Sequence, residues 1–217
     1  MRDLPLLSLL LTVVEATATI AFALSGLLEA ARKRLDAVGV CVVAGLAAFG
    51  GGTLRDVLLD RRPFFWVEHA TWLWVLLALC VAAMVLLRAR HIAPTAKAMQ
   101  WPDALGLGLF SASGTQLALA QGMPAIVAVL MGVVTATFGG VLRDIVCNEI
   151  PSAFSDHRPY AVCAFAGGWV LVGGHALGLP DGASVLAAAG TACGLRALAL
   201  ITDYRLPSWS AEGEARD

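Results

Sequence analysis

The sequence predicts an all-α integral membrane protein. Seven transmembrane helices are expected, as two inverted three-helix repeats plus a seventh helix, with helices 2 and 5 broken at glycines. Three observations predict this. The chain of 217 residues is 59% apolar and 14% charged, where a soluble domain carries about 25% charged residues. Seven apolar segments approach the roughly 20 residues needed to cross hydrocarbon. A glycine-rich motif ending in Arg-Asp occurs twice in one register.

The seven spans are expected at roughly 5–28, 37–59, 70–88, 103–121, 124–148, 159–178 and 183–203. The apolar run after Met1-Arg2 continues past Phe22 without a convincing cleavage site. It reads as the first span and not as a removable signal peptide. Residues 1–203 then form one transmembrane domain: repeat one over about 5–88, repeat two over about 103–178, the seventh helix over about 183–203. The tail 204–217, with Pro207, Ser208 and Ser210, is expected to be solvated and cytoplasmic.

Lys and Arg in the loops set the orientation. Arg32, Lys33, Arg34, Arg88, Arg90, Lys97, Arg158, Arg205 and Arg216 fall on one side; Arg2, Arg61 and Arg62 fall on the other. The first side is therefore expected in the cytoplasm, with the N-terminus outside. The formal net charge of −1 gives no basic field for nucleic acid, so none is expected as a partner.

Gly51-Gly52-Thr53-Leu54-Arg55-Asp56 recurs as Gly139-Gly140-Val141-Leu142-Arg143-Asp144, an offset of 88 residues. The same offset carries Phe22 onto Phe110, Ser25 onto Ser113, Gly26 onto Gly114 and Pro63 onto Pro151. Each copy holds three spans. Because three is odd, the second copy enters the membrane from the opposite side, and the pseudo-two-fold axis lies in the membrane plane.

Spans 2 and 5 meet glycines, Gly50-Gly51-Gly52 and Gly139-Gly140, after about fourteen apolar residues, roughly 20 Å into each helix. Glycine weakens a helix by about 1 kcal/mol per site, so breaks are expected there. Carbonyls freed at such a break can coordinate a cation. The competing reading is close helix packing through small residues. Arg55, Asp56, Arg143 and Asp144 follow. A charge inside hydrocarbon costs at least about 2.5–3.5 kcal/mol, so matched charges argue for a shared polar interior, with snorkelling to an interface as the alternative. Adjacent residues on a helix point in different directions. Crossed pairs are therefore expected: Arg55 with Asp144, and Arg143 with Asp56.

Ser25, Ser111 and Ser113 place hydroxyls at equivalent depths in spans 1 and 4, where they can line a pore or serve packing. Glu15 is a further carboxylate within a span, and Arg196 in span 7 has no repeat counterpart. A structural or lipid-headgroup contact is expected for Arg196. The four His residues are too scattered for a metal site, and the five Cys residues form no C-x-x-C. No metal beyond permeant ions is expected, and no cofactor. Trp66, Trp72, Trp74 and Trp101 fall near span ends, as in an aromatic belt. Neither a Ser-His-Asp constellation nor a nucleotide fingerprint is present, so no enzyme is expected.

With GGG-x-x-RD in span 2, GG-x-x-RD in span 5, Ala23–Gly26 and Ser111–Gly114, the chain resembles the prokaryotic trimeric intracellular cation (TRIC) channels from about Leu4 to Tyr204. The resemblance implies a homotrimer with a pore in each protomer, between spans 1, 2, 4 and 5. It implies permeation by K⁺ and, less selectively, Na⁺, with bound lipid as a further partner. Animal members use a Lys-containing motif in span 4 and bind phosphoinositides. No Lys lies between Asp103 and Gln121, which favours a bacterial inner-membrane member. The domain also travels as a glycine-transporter family, so a secondary transporter of a small zwitterion such as glycine is the alternative. A third reading, an assembly protein without a pathway, expects tight, dry packing at both glycine segments.

Overall fold

Four of the longest apolar runs fold as the sequence predicts, as helices long and apolar enough to cross a membrane. The computed structural model describes residues 4–90 and 95–207, and the side chains of all of these except 4, 5, 87–90 and 96. Arg2, His91, Arg216, the side chains of Arg88 and Arg90, and the tail beyond Pro207 with Ser208 and Ser210 lie outside the described residues. Among the described residues there are nine helices: α1 (Leu4–Arg32), α2 (Ala37–Leu58), α3 (Phe65–Glu68), α4 (Thr71–Arg90), α5 (Ala96–Ala120), α6 (Ala125–Val146), α7 (Ser152–Ser155), α8 (Ala161–Ala176) and α9 (Asp181–Thr202).

The helix starts follow local chemistry. Asp36 Oδ1 accepts the Gly39 N–H at 2.7 Å, and Thr95 Oγ1 accepts the Ala98 N–H at 3.2 Å; both relieve unpaired donors of a first helical turn. The Thr95 cap starts α5 several residues before the expected 103, and Pro102 lies inside the helix. The early turns of α5 carry Lys97, Gln100 and Asp103, which hid them from an apolar-run reading. The four-residue helices α3 and α7 add to the seven expected spans. They occupy the loops after α2 and α6.

α1, α2, α5 and α6 pack together as the centre. α8 and α9 pack on each other and on α5, and α4 packs on α1 and α2. Val38, Trp74, Val81, Leu198 and Ile201 stand exposed on the outer faces. Acyl chains solvate such faces and water does not. The chain is a multi-pass, all-helical membrane protein.

The expected glycine breaks are absent. α2 runs unbroken through Gly50, Gly51 and Gly52, and α6 runs unbroken through Gly139 and Gly140. The glycines serve close approach instead. A Cβ on Gly51 would sit 2.0 Å from the Thr135 carbonyl oxygen, and one on Gly139 would sit 2.3 Å from the Ala47 carbonyl oxygen. These contacts are reciprocal, since the 88-residue offset carries Gly51 onto Gly139 and Ala47 onto Thr135. Gly26 and Gly114 repeat the device one layer out. A Cβ on Gly26 would lie 2.8 Å from the Ala44 Cα, and one on Gly114 would lie 3.1 Å from the Gly132 Cα. Packing of backbone on backbone offsets the weak propensity of glycine, so the helices stay whole.

Candidate functional site

Arg55 and Arg143 each lie in the last turn of a long helix, where the helix dipole favours a cation. Both are almost fully buried, at 1% exposure. Each is held by two carboxylates. Arg55 Nη1 donates to Glu15 Oε1 at 2.5 Å, and Arg55 Nε donates to Asp56 Oδ1 at 2.9 Å. Arg143 Nη1 donates to Asp103 Oδ1 at 2.6 Å, and Arg143 Nε donates to Asp144 Oδ1 at 2.7 Å. The expected crossed pairs, Arg55–Asp144 and Arg143–Asp56, do not form. Each guanidinium folds back onto the aspartate that follows it. Its long stem overcomes the divergence of adjacent positions, and its fork takes a second carboxylate from a neighbouring helix.

These second carboxylates, Glu15 and Asp103, are not among the site residues expected from the sequence. Glu15 and Asp103 stand 88 residues apart, in the register of the repeat. The signal was present, hidden by the Glu/Asp difference and by Asp103 falling at the expected edge of span 4. The second oxygen of each aspartate ties down the following loop. Asp56 Oδ2 accepts the Phe65 N–H at 3.1 Å; Asp144 Oδ2 accepts the Ser152 N–H at 2.8 Å and the Ser152 hydroxyl at 3.0 Å. This is why short helices α3 and α7 form where they do.

Each cluster sets one buried guanidinium between two carboxylates; the second carries a formal charge of −1, and at the first Arg61 offsets the excess. Arg61 Nη1 stands 3.9 Å from Asp56 Oδ1, at the rim of the first cluster. Ser25 joins the second cluster: Arg143 Nη1 donates to its oxygen, and the hydroxyl lies 3.4 Å from Asp103 Oδ1. Glu15 and Ser25 are ten residues apart on α1, so the two clusters are about 15 Å apart along that helix. Gly52 and Gly140 face the guanidinium groups. A Cβ on Gly52 would lie 3.9 Å from Arg55 Nη2, and one on Gly140 would lie 3.3 Å from Tyr160 Oη and 3.5 Å from Asp103 Oδ1. Beside the first cluster is a cavity of about 10 Å³, lined by Glu15, Gly52, Thr53, Arg55, Trp66 and Phe110 among others. That is room for about one water.

The other expected residues separate. Ser111 donates to the Ala164 carbonyl at 2.7 Å, so it fastens α5 to α8 and does not join Ser25. The buried Ser113 hydroxyl has no hydrogen-bond partner. Gly50 faces Leu142, whose Cδ1 would lie 2.6 Å from a Cβ there. Arg196 is buried, donates to the Pro159 carbonyl at 3.0 Å and lies over the Tyr160 ring at 4.8 Å. It is a packing residue of α9, not a headgroup contact.

At the end of α1, Lys33 and Arg32 both reach Glu149, and Arg32 also pairs with buried Glu29 at 2.6 Å. Hydrogen bonding to Lys33, and then the Lys33 charge, hold the Glu149 carboxyl below the usual carboxylate range. A depressed folded-state value means stabilisation that is present above the unfolded value and fades as pH falls through the folded one. Glu149→Gln is therefore expected to lower the melting temperature at pH 7. The difference from the parent should vanish on titration through the acid range, as followed by thermal unfolding in detergent.

A family model described as glycine transporter matches the chain twice, over residues 12–89 and 100–176. A UPF0126 membrane protein of Vibrio cholerae is 32% identical over 206 residues, covering 93% of this chain and 83% of that protein. The UPF0126 inner membrane protein YadS of Escherichia coli is 36% identical over 161 residues, 72% of this chain and 75% of its own. Among solved structures, the TRIC trimeric intracellular cation channel orthologue from Rhodobacter sphaeroides superposes with a TM-score of 0.81 at 32% identity, covering 89% of this chain and 98% of that one. A second structure, described as the basis for conductance through TRIC cation channels, gives 0.82 at 30% identity, covering 93% of this chain and 98% of that one. Kinship to channels sets an enzymatic role aside. The doubled match and these superpositions over about nine-tenths of the chain establish that it belongs to the TRIC family, and the glycine-transporter family model and the UPF0126 relatives match the same chain.

Proposed function

We propose that the chain conducts monovalent cations, K⁺ and also Na⁺, along a path inside each protomer of a homotrimer in a bacterial inner membrane. The observation that carries this reading is the pair of equivalent buried clusters, Glu15–Arg55–Asp56 and Asp103–Arg143–Asp144, each with two carboxylates gathered on one buried guanidinium. Excess carboxylate near each end of a path attracts cations and repels anions. The cation-channel descriptions of structures similar to this chain support the same reading.

Seven helices span the membrane in this proposal: α1, α2, α4, α5, α6, α8 and α9. The reciprocal glycine contacts support a two-fold relation between α1–α4 and α5–α8. With three spans in each half, that relation is an inverted repeat with its axis in the membrane plane. The N-terminus lies outside and the C-terminus in the cytoplasm, so one cluster sits toward each face. Ser25 and Ser113 offer oxygens to a partly dehydrated ion. Backbone carbonyls at Gly50–Gly52 and Gly139–Gly140 are not its ligands, because those carbonyls stay within unbroken helices. No cofactor is required; bound lipid is a partner of the outer faces.

The glycine-transporter description favours a second reading, uptake of a small zwitterion whose carboxylate and ammonium face an Arg and an acid. Purified protein in planar bilayers and in proteoliposomes separates the two. Discrete cation currents without saturable glycine uptake support the channel. Saturable glycine uptake without such currents overturns it.

A further inference from the structure

Phe22 and Phe110 share the repeat register, so the two halves of the chain each contribute one ring to the same place. Their centroids are 5.6 Å apart and their planes 16° from parallel. The position of that stack follows from its neighbours. On α1, Phe22 lies seven residues after Glu15 and three before Ser25. Those steps are about 10 Å and about 5 Å along the helix. Glu15 belongs to the Arg55 cluster, and Ser25 to the Arg143 cluster. On α5, Phe110 likewise lies seven residues after Asp103, a member of the Arg143 cluster. The stack therefore stands between the two charged sites. Phe110 is among the residues that line the small cavity beside Arg55.

We infer that the Phe22–Phe110 stack is the constriction that shuts the cation path between the two charge clusters, an inference that rests on the channel reading above. Its physics is dewetting. An apolar waist offers a cation nothing in exchange for its hydration shell, so water and ions leave it together. The rings are built in firmly. Phe22 is 0% exposed and Phe110 3%, and a Cβ on Gly106 would lie 2.5 Å from the Phe22 ring. Glycine at 106 thus makes room for the stacked pose. Ala18, Ala47, Leu107 and Ala136 complete an apolar collar around the pair. Opening needs one ring to leave the stack, while the charge clusters on either side stay assembled.

The test is cation current in planar bilayers for the purified parent, Phe22→Asn, Phe110→Asn, Phe110→Leu and Phe110→Tyr, with equal protein incorporation. Wetting the waist with asparagine should raise time-averaged K⁺ current by about tenfold or more. Leucine, apolar and of similar reach, should leave it at the parent level. Tyrosine keeps the ring and adds one hydroxyl to the waist, so a smaller increase is expected. A silent parent with conducting asparagine variants also supports the inference. Asparagine variants that match a conducting parent overturn the inference and leave the channel reading intact. Silence of every protein overturns both. Should the asparagine variants fail to fold, an unchanged current in Phe110→Tyr overturns the inference by itself.

Discussion

Arg143→Ala is expected to destabilise the protein by about 3–5 kcal/mol, the cost of stripping the partner from a buried charge, and to abolish cation current. Asp103 and Asp144 would be left as two carboxylates in a site where both are nearly buried. Ser25 would lose its donor at the same time. Three acceptors on three different segments converge on one guanidinium, so the loss reaches beyond a single pair. Arg143→Lys should recover only part of the stability. A lysine ammonium carries the charge but lacks the planar fork that holds Asp103 and Asp144 together. Thermal unfolding in detergent measures both. If Arg143→Ala melts within a degree or two of the parent, the cluster does not hold α1, α5 and α6 together.

Gly51→Val is expected to be about as damaging, at 3 kcal/mol or more, the upper end for overpacking. The first added carbon would sit 2.0 Å from the Thr135 carbonyl oxygen. That oxygen belongs to a helix backbone and cannot rotate aside. α2 and α6 would have to separate at the centre of the molecule. Gly190→Ala in α9 is the matched control, because nothing lies within 4 Å of a Cβ there. That change should be neutral or stabilising by up to about 1 kcal/mol, from helix propensity. Equal melting of Gly51→Val and the parent would contradict the tight crossing.

Much of this architecture was legible in the residues, and the misreadings have physical causes. The 88-residue register identified Arg55, Asp56, Arg143 and Asp144 as interior charges, and they are buried. It also held the Glu15–Asp103 correspondence, which needed only the admission that Glu and Asp can do the same work at different reach. The pairing pattern was not legible. Directions of adjacent Cβ atoms say little about a side chain as long as arginine. Glycines within one apolar run predict weak points of a helix. Their carbonyl neighbours across the crossing lie on a different helix, and no spacing along one chain reveals that contact. Ser111 and Ser113 differ by two positions, and two positions on a helix point apart; one bonds the Ala164 carbonyl and the other has no partner. α3 and α7 are too short for any period to announce them. They depend on the free oxygens of Asp56 and Asp144.

Reversal potential in a KCl gradient bears most directly on the role of the two acidic clusters. The parent should reverse near the K⁺ equilibrium potential. The double variant Glu15→Gln, Asp103→Asn leaves each guanidinium its adjacent aspartate, removes one negative charge from each cluster and should shift the reversal toward zero. A parent that reverses near the Cl⁻ potential, or a double variant with unaltered selectivity, would contradict the view that these carboxylates draw cations through the membrane.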